Sequence, residues 1–554
     1  MCKGEVTTHP HIRIPERRTP CREQTMLVAK LLEPFLQLQI PAQCLCNETL
    51  GVANRVLGVR PEMSPLLECL MRQQLRLMVV RAGPYDTQTL LSRCPDGKRK
   101  PYEKALISLL DAPLTSEDKS VKAFVKMEKL ELLKPEKFKD PRIIQARTPR
   151  FNVMLGMYTR AIEDHLKGMI DPEWQALGVR VEVIAKGHNL QRRAQQLLAI
   201  WGLYDQPASV SMDLSRWDMH VSAQMLWCLG EYYQLIFPSP LLAELLEPLT
   251  NSSCKTTKGV KYTKKHGVTS GDMTTALGNC VAVIAITWAL RKELSDCVAT
   301  GESLRQRMTH QIPGGYCDDS NCYPETELLC KPCLISKYIS ELAIVIHANK
   351  LVDIPPFTIY DDGDDHVMIT DKRLVPTLNK LLPVWWEEAG HKLTTEPPAL
   401  KPEAIEFCQM RVLPTIPVMV PDPKKVIPSS LCLTGRYREQ WKEYLKTVWK
   451  ARAIMHQGVP VLGPLFYHLQ KELRGPLLKD MELRHALMRQ NYWLKMTTKQ
   501  LTEDLKYVEP SPQSREWMRH AWGVDQETQL SWERLRVKDP GVHITHLDIW
   551  NQPI

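Results

Sequence analysis

The sequence predicts a large mixed α/β protein in which strands and helices alternate in the middle and helices dominate the C-terminal part. Two strand-to-helix transitions lie between residues 209 and 300, and residues 354–370 have the pattern of a β-hairpin. Apolar residues recur at helical spacing after the Pro-rich stretch 412–428. The chain has 554 residues, several times the length of a typical domain of about 150 residues. A single small binding module is therefore excluded.

The composition is that of a globular protein that can accept a polyanionic partner. Hydrophobic residues make up 44% and charged residues 24%, which excludes a disordered chain. The net charge of +9 is compatible with nucleic acid binding. The 16 cysteines are dispersed and the N-terminus lacks an apolar signal sequence, so we expect a reducing cytosol. The longest apolar run, Val281 to Leu290, is half of the ~20 residues that a spanning helix needs, so we expect no membrane-spanning segment.

The N-terminal part contains an apolar segment followed by a basic one. Met26 to Leu38 predicts a short amphipathic helix interrupted by Pro34. From Gly97 to Arg150, Lys and Arg alternate with β-branched and aromatic residues, which is typical of a strand with its charges on one face. A solvated protein surface is the alternative interpretation of this basic run.

A first pair of carboxylates follows a short predicted strand. Residues 210–212 predict a strand that ends at Asp213, and residues 221–237 predict a helix, so Asp218 lies in the turn between them. Ligands bind at such strand ends in α/β architectures. Asp213 and Asp218 are therefore candidate site residues.

A second acidic cluster lies in the predicted hairpin, where four aspartates fall within five residues. The turn is predicted at Gly363, and Asp364 and Asp365 lie just beyond it. A fold avoids this density of carboxylates unless cations neutralise it. If the hairpin lies beside the strand that ends at Asp213, Asp213 and Asp364 can bind two divalent cations for phosphoryl transfer. A plain hairpin with an acidic turn is the alternative.

A flexible loop, residues 266–271, precedes an apolar helix predicted to begin near residue 275. Thr275 and Asn279 lie four residues apart on that helix, so their polar groups point the same way. Together with Ser270, they can hydrogen-bond a ribose hydroxyl beside a metal site. Taken alone, the segment is better explained as the start of a structural helix with Ser as its cap.

A group of cysteines lies between the apolar helix and the hairpin. It consists of Cys317, Cys322, Cys330 and Cys333, and it ends in a CxxC pair. Four thiols at this spacing can enclose a structural Zn²⁺ ion. Cysteines without a metal in an inserted segment are the alternative.

In chain order, the three polar segments resemble motifs A, B and C of the viral RNA-dependent RNA polymerases. Their residue sequences are similar to those of the tombusvirus-like group of plus-strand RNA viruses. Asp213 to Asp218 resembles motif A, Ser270 to Asn279 resembles motif B, and residues 363–365 resemble motif C, the GDD motif. Residues 97–105 and 124–129 resemble fingers segments, residues 141–152 the basic motif F, and residues 406–409 the motif E hairpin.

This resemblance implies a right-hand polymerase with a palm built on an antiparallel sheet. It implies an N-terminal extension at residues 1–90, fingers at 91–205, and a mostly helical thumb at 416–554. The palm would comprise residues 206–415, with interleaved fingers segments and a Cys-rich insertion near 301–350. Such an enzyme copies viral RNA from ribonucleoside triphosphates and binds template RNA and nascent RNA.

The resemblance also implies roles for individual residues. Asp213 and Asp364 would hold two Mg²⁺ ions, which Mn²⁺ could replace, and Asp365 would assist them. The incoming ribose would be recognised by Asp218, Ser270, Thr275 and Asn279. The triphosphate channel would be lined by Lys126, Lys129, Arg142 and Arg147. Lys392 would be the general acid for pyrophosphate departure, with His391 as its rival. The family often has Asn before the Gly-Asp-Asp turn, whereas this sequence has Asp362.

The expected place of action is the host cytoplasm, at membrane-associated replication complexes. Without a membrane-spanning segment of its own, the chain would need a viral membrane-anchoring replication protein or a host factor. Two other functions stay open. A reverse transcriptase is disfavoured by Asp218 and Asn279, which suit a 2′-hydroxyl. A non-catalytic RNA-binding replication factor is disfavoured by the intact aspartates.

Overall fold

The structure is a computed structural model. It describes residues 12–15, 26–28, 38–39, 41, 43–58, 62–94, 96–126, 128, 130–131, 140–303, 305, 330–434, 440–478, 501–536 and 543–545. The helices of these ranges are α1 (Leu45–Val52), α2 (Pro65–Leu77), α3 (Thr87–Arg93), α4 (Asp96–Asp111), α5 (Ser116–Lys119), α6 (Pro149–Leu166), α7 (Pro172–Ala176), α8 (Leu190–Trp201), α9 (Trp217–His220), α10 (Ala223–Ile236), α11 (Pro240–Thr250), α12 (Thr275–Thr300), α13 (Lys331–Ala348), α14 (Val375–Glu388), α15 (Pro423–Leu431), α16 (Trp441–Met455), α17 (Leu462–Glu472), α18 (Pro512–Trp522) and α19 (Gln526–Glu533). A π-helical turn lies at Ala53–Leu57 and a 3₁₀ turn at Pro402–Ala404.

The strands of the same ranges form five sheets. They are β1 (Ile12–Arg13), β2 (Met26–Val28), β3 (Leu38–Gln39), β4 (Val121–Val125), β5 (Leu130–Glu131), β6 (Ile143–Ala146), β7 (Pro207–Leu214), β8 (Ser252–Thr256), β9 (Lys261–Lys264), β10 (Phe357–Asp361), β11 (Asp365–Asp371), β12 (Leu393–Thr395), β13 (Glu406–Phe407), β14 (Met410–Leu413), β15 (Val418–Pro421), β16 (Cys432–Thr434) and β17 (His543–Thr545). The expected mixed α/β class is confirmed.

A four-stranded antiparallel sheet carries the hairpin predicted from the sequence. Its strand order is β10-β11-β7-β12, and β10 is buried along its entire length. The β-prone residues of β10 and β11 flank a short turn, so the two strands pair as a hairpin with Phe357 opposite Thr370. Strand β7 pairs with β11 on one side and with β12 on the other. The hairpin prediction is therefore confirmed.

Helix α12 runs through the larger hydrophobic core. Every residue from Leu277 to Arg291 is buried, because the helix packs against α2, α13 and β10 on different sides. The helix ends at Gly301, whose φ of +79° is the left-handed conformation that glycine tolerates at a helix end. Despite this apolar helix, the described ranges contain none that is long and apolar enough to cross a bilayer.

A five-stranded sheet combines three strands that precede β7 in sequence with two that follow it. Its order is β1-β9-β8-β4-β6, and its pairs are antiparallel except for the parallel pair of β4 with β8. Strand β4 shows a strict alternation. It buries Val121, Ala123 and Val125 and exposes Lys122 and Phe124. One face of this sheet is therefore apolar and packed, and the other is polar and open.

The motif E segment is a tight hairpin, as expected from the sequence. Strands β13 and β14 are joined by Cys408 and Gln409, which have φ values of +54° and +59°. Two successive left-handed residues are what a type I′ turn requires, although neither residue is glycine. The three-stranded sheet β13-β14-β15 packs against α8 and α18.

The described residues after the Pro-rich stretch 412–428 are mostly helical, as predicted. Helices α16 and α17 pack along each other, and Leu445 and Trp449 of α16 are fully buried between them and their neighbours. These side chains belong to a second hydrophobic core that also includes strands β13 to β15.

Two local predictions are wrong. Met26–Val28 is strand β2, paired between β16 and β17, and Leu38–Gln39 is strand β3, rather than parts of one helix. Pairing with strands distant in sequence therefore overrides the helical periodicity there. In the basic run, Asp96–Asp111 is helix α4 instead of a strand, because its Lys, Glu, Ala and Leu residues are good helix formers.

Candidate active site

Strand register brings the predicted carboxylates together. Asp365, the first residue of β11, lies directly opposite Asp213 near the end of β7. Asp364 precedes it in the turn, and both Asp213 and Asp364 are exposed. Gly363 has a φ of +98° in this turn, and its N–H donates to the Asp361 carboxylate at 3.1 Å. The two strands are thus neighbours, as the sequence analysis required for a shared site.

Asp213 and Asp364 line a cleft of about 450 Å³ between the central sheet and the five-stranded sheet. Five of the predicted site residues line it, namely Asp213, Asp218, Ser270, Arg142 and Asp364. Segments far apart in sequence therefore meet here.

The residues expected at the ribose are held by hydrogen bonds. Asn279 Nδ2 donates to Asp218 Oδ1 at 3.3 Å, which joins the segments that resemble motifs A and B. Ser270 Oγ accepts from the Gln145 N–H at 3.2 Å and thereby fixes the loop against β6. The Thr275 hydroxyl donates to the Thr269 carbonyl at 2.8 Å, so it supports the same loop from inside and does not line the cleft.

Negative charge is concentrated and poorly neutralised at the end of the hairpin. Burial, followed by the charges of Asp364, Asp362 and Asp213, raises the pKa of Asp365 to about 7. Burial and the charge of Asp364 raise the pKa of Asp218 to about 6. Carboxylates are the ligands that hard divalent cations prefer, and a bound cation would remove this repulsion. The donor set therefore fits Mg²⁺ or Mn²⁺.

The extra charge of Asp362 is neutralised within the fold. Lys186 Nζ lies 3.0 Å from Asp362 Oδ1 and also donates to the Asp362 carbonyl, and Arg193 Nη2 donates to Oδ2 at 2.9 Å. Neither cation was identified from the sequence. A signal for Arg193 was present, because it occupies the apolar face of α8 together with Leu190 and Leu197.

Lys264 is a second residue that the sequence analysis missed. It lies on the buried face of β9 and lines the cleft. Its Nζ donates to the Gly267 carbonyl and to Thr269 Oγ1, both at 2.7 Å. Burial lowers the pKa of Lys264 to about 8. Its signal was strand alternation, which puts Lys264 on the same side as the buried Tyr262.

The four cations expected along the triphosphate channel have different surroundings. Arg142 is about half exposed and lines the cleft, and its guanidinium lies 3.7 Å from Glu128. Lys126 is paired with the same carboxylate at 3.0 Å. Lys129 lies outside the described residues.

Arg147 does not reach the cleft, contrary to its expected role. Its side chain is completely buried, and Nε lies 3.1 Å and 3.2 Å from the two carboxylate oxygens of Asp272. Its other nitrogens donate to Ser252 Oγ and to the carbonyls of Pro248 and Lys119. With its hydrogen-bonding groups occupied by the protein, Arg147 ties β6 to the motif B loop, and we assign it a structural role.

The two candidates for the general acid, His391 and Lys392, differ in their burial. His391 is buried and stacked on Trp217 with the ring centroids 4.2 Å apart, and burial lowers the pKa of His391 to about 3. Burial therefore disfavours the protonated imidazole that a general acid would need at His391. Lys392 is exposed, and its carbonyl accepts from the Ser215 N–H next to the end of β7.

The cysteine cluster is only partly within the described residues. Cys330 precedes α13 and Cys333 lies in its first turn, whereas Cys317 and Cys322 lie outside the described residues. Across the described ranges, including the cleft, no three His, Cys, Asp or Glu side chains converge as a complete metal site. The zinc site stays a prediction.

Comparison with known proteins shows the family to which the chain belongs. A family model described as "Viral RNA dependent RNA polymerase" matches residues 14–300 and 339–538. The RNA-directed RNA polymerase of tobacco necrosis virus (strain A) is 26% identical over 403 residues, which cover 71% of this chain and 46% of the relative. That of carnation mottle virus is 25% identical over 497 residues, covering 86% and 56%. That of turnip crinkle virus is 33% identical over 231 residues, covering 39% and 29%.

The chain spans about half the length of the first two relatives. The family match, by contrast, extends over most of the chain and includes every segment that lines the cleft. The chain belongs to the family of viral RNA-dependent RNA polymerases, as the resemblance of its motifs implied.

Proposed function

We propose that this chain is an RNA-directed RNA polymerase that adds ribonucleotides to a growing strand by two-metal nucleotidyl transfer. The observation that carries the proposal is the register of β7 and β11. It sets Asp213 opposite Asp365 and leaves Asp213 and Asp364 open to a cleft that Arg142 and Asp218 also line. This arrangement provides acidic, basic and hydrogen-bonding groups around one space large enough for a nucleotide.

Asp213 and Asp364 would hold the divalent cations, with Asp365 assisting. When bound, two such ions orient the reacting oxygens and neutralise the charge of the leaving pyrophosphate. Mg²⁺ sites in nucleotide-processing enzymes combine one or two carboxylates with substrate phosphates and water. Such a site therefore needs only a few ligands from the protein. The raised pKa of Asp365 reflects a charge repulsion that the cations would relieve.

The chain's other residues would select and orient the nucleotide. Asp218, held by Asn279, accepts a hydrogen bond from a ribose hydroxyl, while Ser270 keeps the adjoining loop in place. Arg142 provides a planar pair of donors for phosphate oxygens, with Lys126 nearby. Lys392, exposed beside the end of β7, would give its proton to the departing pyrophosphate.

The wider assignments belong to the same proposal. Residues 91–205 would be fingers, 206–415 the palm with its interleaved segments, and 416–554 the thumb. Template and nascent RNA would be the macromolecular ligands, and a viral membrane-anchoring replication protein would bring the chain to membrane-associated complexes in the host cytoplasm. A structural Zn²⁺ at the cysteine cluster is a further part of the proposal.

The test is RNA synthesis by the purified chain on an RNA template with Mg²⁺. We expect extension with ribonucleotides and little with deoxyribonucleotides, which would exclude a reverse transcriptase. Asp364→Asn should retain less than roughly a tenth of the wild-type rate, because it removes a metal-binding charge, yet bind RNA normally. Asp353→Asn removes an exposed carboxylate outside the cleft and is the matched control. RNA binding without extension by the wild type would instead support a non-catalytic replication factor.

A further inference from the structure

A row of four cations crosses the outer face of the five-stranded sheet. Lys122 of β4 is the register partner of Lys255 of β8, Lys255 is the partner of Lys261 of β9, and Lys261 is the partner of Arg13 of β1. We call these four residues the cationic row. Neighbouring strands lie about 4.8 Å apart, so the row spans about 14 Å.

The cationic row lies on the opposite side of the sheet from the catalytic cleft. All four of its side chains are exposed. The other face carries Tyr262, Lys264 and Gln145, which are buried, and the last two line the cleft. Because successive residues of a strand point to opposite faces, a phosphate bound on the row is not one that lies at the aspartates of the cleft.

This arrangement of charges is unfavourable for the isolated protein. Like charges on directly opposed strand residues destabilise a sheet, and here three successive pairs are alike. Lys122 lies 3.7 Å from Glu117, and both side chains are largely exposed. In the part of the chain that the structure describes, Lys255, Lys261 and Arg13 have no ion pair. A ligand with several regularly spaced negative charges would remove the repulsion.

The surroundings of the row indicate which polyanion fits. The row lines a hollow of about 1040 Å³ that also contains Phe124, Ser253 and Thr263. Phe124 is 40% exposed, and it lies two residues along β4 from Lys122, on the same face. Aromatic side chains beside a basic groove are how proteins bind single-stranded nucleic acid, because bases stack on the ring while cations follow the backbone. A recessed groove suits a strand better than a flat bilayer.

We propose that the outer face of this sheet binds single-stranded RNA outside the catalytic cleft, with the phosphates along the cationic row and a base on Phe124. The proposal rests on the proposed function, because it takes the ligand to be the template strand of the same enzyme. The hydroxyls of Ser253 and Thr263, which are register partners, can hydrogen-bond phosphate or ribose oxygens next to the row.

The test replaces three cations of the row and measures binding of a short fluorescein-labelled single-stranded RNA by anisotropy over a range of salt concentrations. The variant is Lys122→Gln/Lys255→Gln/Lys261→Gln. Its matched control is Lys337→Gln/Lys380→Gln/Lys401→Gln, which removes the same charge from exposed lysines elsewhere. We expect the row variant to bind roughly tenfold more weakly, with the logarithmic salt slope flattened by about 2, since each single-strand phosphate contact contributes about 0.7. The control should match the wild type.

A second variant tests the stacking contact separately. Phe124→Leu keeps an apolar side chain on β4 but removes the ring, so RNA affinity should fall several-fold with the salt slope unchanged. Unaltered affinity would overturn the assignment of Phe124. For the row, equal salt slopes in the row variant and its control would overturn the proposal. The proposal would also be overturned if the row variant bound RNA normally but no longer bound anionic phospholipid vesicles. That result would make the face a lipid-binding surface.

Nucleotide kinetics keep this proposal distinct from the proposed function. At saturating RNA, the row variant should show the wild-type KM for nucleotides and the wild-type kcat, because the row lies behind the sheet that borders the cleft. A row variant that changes these constants without changing RNA affinity would overturn the proposal. Absence of extension by the wild-type chain would refute the polymerase assignment while the anisotropy data still report on the row.

Discussion

Replacement of Arg147 by Met should destabilise the protein without a direct effect on nucleotide binding. The guanidinium is fully buried and paired with the equally buried carboxylate of Asp272. Removal of one partner from a buried ion pair leaves the other charge unpaired, which costs about 3–5 kcal/mol. Burial already raises the pKa of Asp272 against the opposing effect of Arg147. We therefore expect a clear fall in the thermal unfolding midpoint of Arg147→Met.

A matched exposed position on the same segment should show the opposite result. Arg142 is about half exposed and lines the cleft, so Arg142→Met should leave the unfolding midpoint unchanged. If Arg142 donates to the triphosphate, its loss removes about 1.5–3 kcal/mol of binding energy, equivalent to a roughly ten- to hundredfold increase in the KM for nucleotides. RNA affinity should change much less.

The assay pairs thermal unfolding with nucleotide titration of RNA extension for both variants. In the double variant Arg147→Met/Asp272→Asn, neither charge remains, so the midpoint should recover part of the loss. Our reasoning would be refuted by an Arg147→Met protein of wild-type stability whose KM for nucleotides is raised. That result would mean that Arg147 leaves its buried position and reaches the triphosphate.

Three further predictions concern the cleft. Asp218→Ala and Asn279→Ala should each raise incorporation of deoxyribonucleotides relative to ribonucleotides in a competition assay, because a site built to hydrogen-bond a hydroxyl discriminates against its absence; an unchanged ratio in both would place them outside the ribose pocket. Burial and neighbouring charges raise the pKa of Asp365 to about 7, and protonation of Asp365 would remove a metal ligand. The Mg²⁺ concentration for half-maximal extension should therefore rise as the pH falls from about 8 to about 6. A Mg²⁺ concentration for half-maximal extension that does not change with pH would contradict this. Lys264→Met should lower kcat with RNA affinity unchanged, since the loop at residues 267–269 loses two hydrogen bonds, and a wild-type kcat would show that the loop is held without it.

The parts of the site that the sequence revealed are those encoded by local patterns. The residue types of the turn at Gly363 predict the turn themselves. The apolar residues before Asp213 predict the strand that ends there. These two strands lie far apart in sequence, so no local sequence pattern predicts that they pair. It was inferred because a cluster of carboxylates requires a shared cation, and the register of Asp213 with Asp365 agrees with that inference.

Strand alternation explains why Arg147 is buried although Arg142, in the same segment, is exposed. Arg142 and Arg147 flank β6 and are five residues apart, and an odd separation places side chains on opposite faces of a strand. Ile143 and Gln145 are buried in the phase of Arg147, whereas Arg142 has the opposite phase and is exposed. Similarity of the whole segment to motif F concealed this difference, although the alternation was readable in the sequence.

The aspartates on either side of the hairpin turn show how the fold separates charge that stabilises structure from charge that is available for chemistry. Asp362 is buried and neutralised by Lys186 and Arg193, so this acidic replacement of an amide adds little net charge to the cleft. Asp364 has no such partner in the part of the chain that the structure describes and is exposed. A cation that enters the cleft therefore meets the carboxylate of Asp364 together with that of Asp213 on the paired strand β7. The cations of α8 and its preceding loop thus confine the negative field to the place where the proposed nucleotidyl transfer would require it.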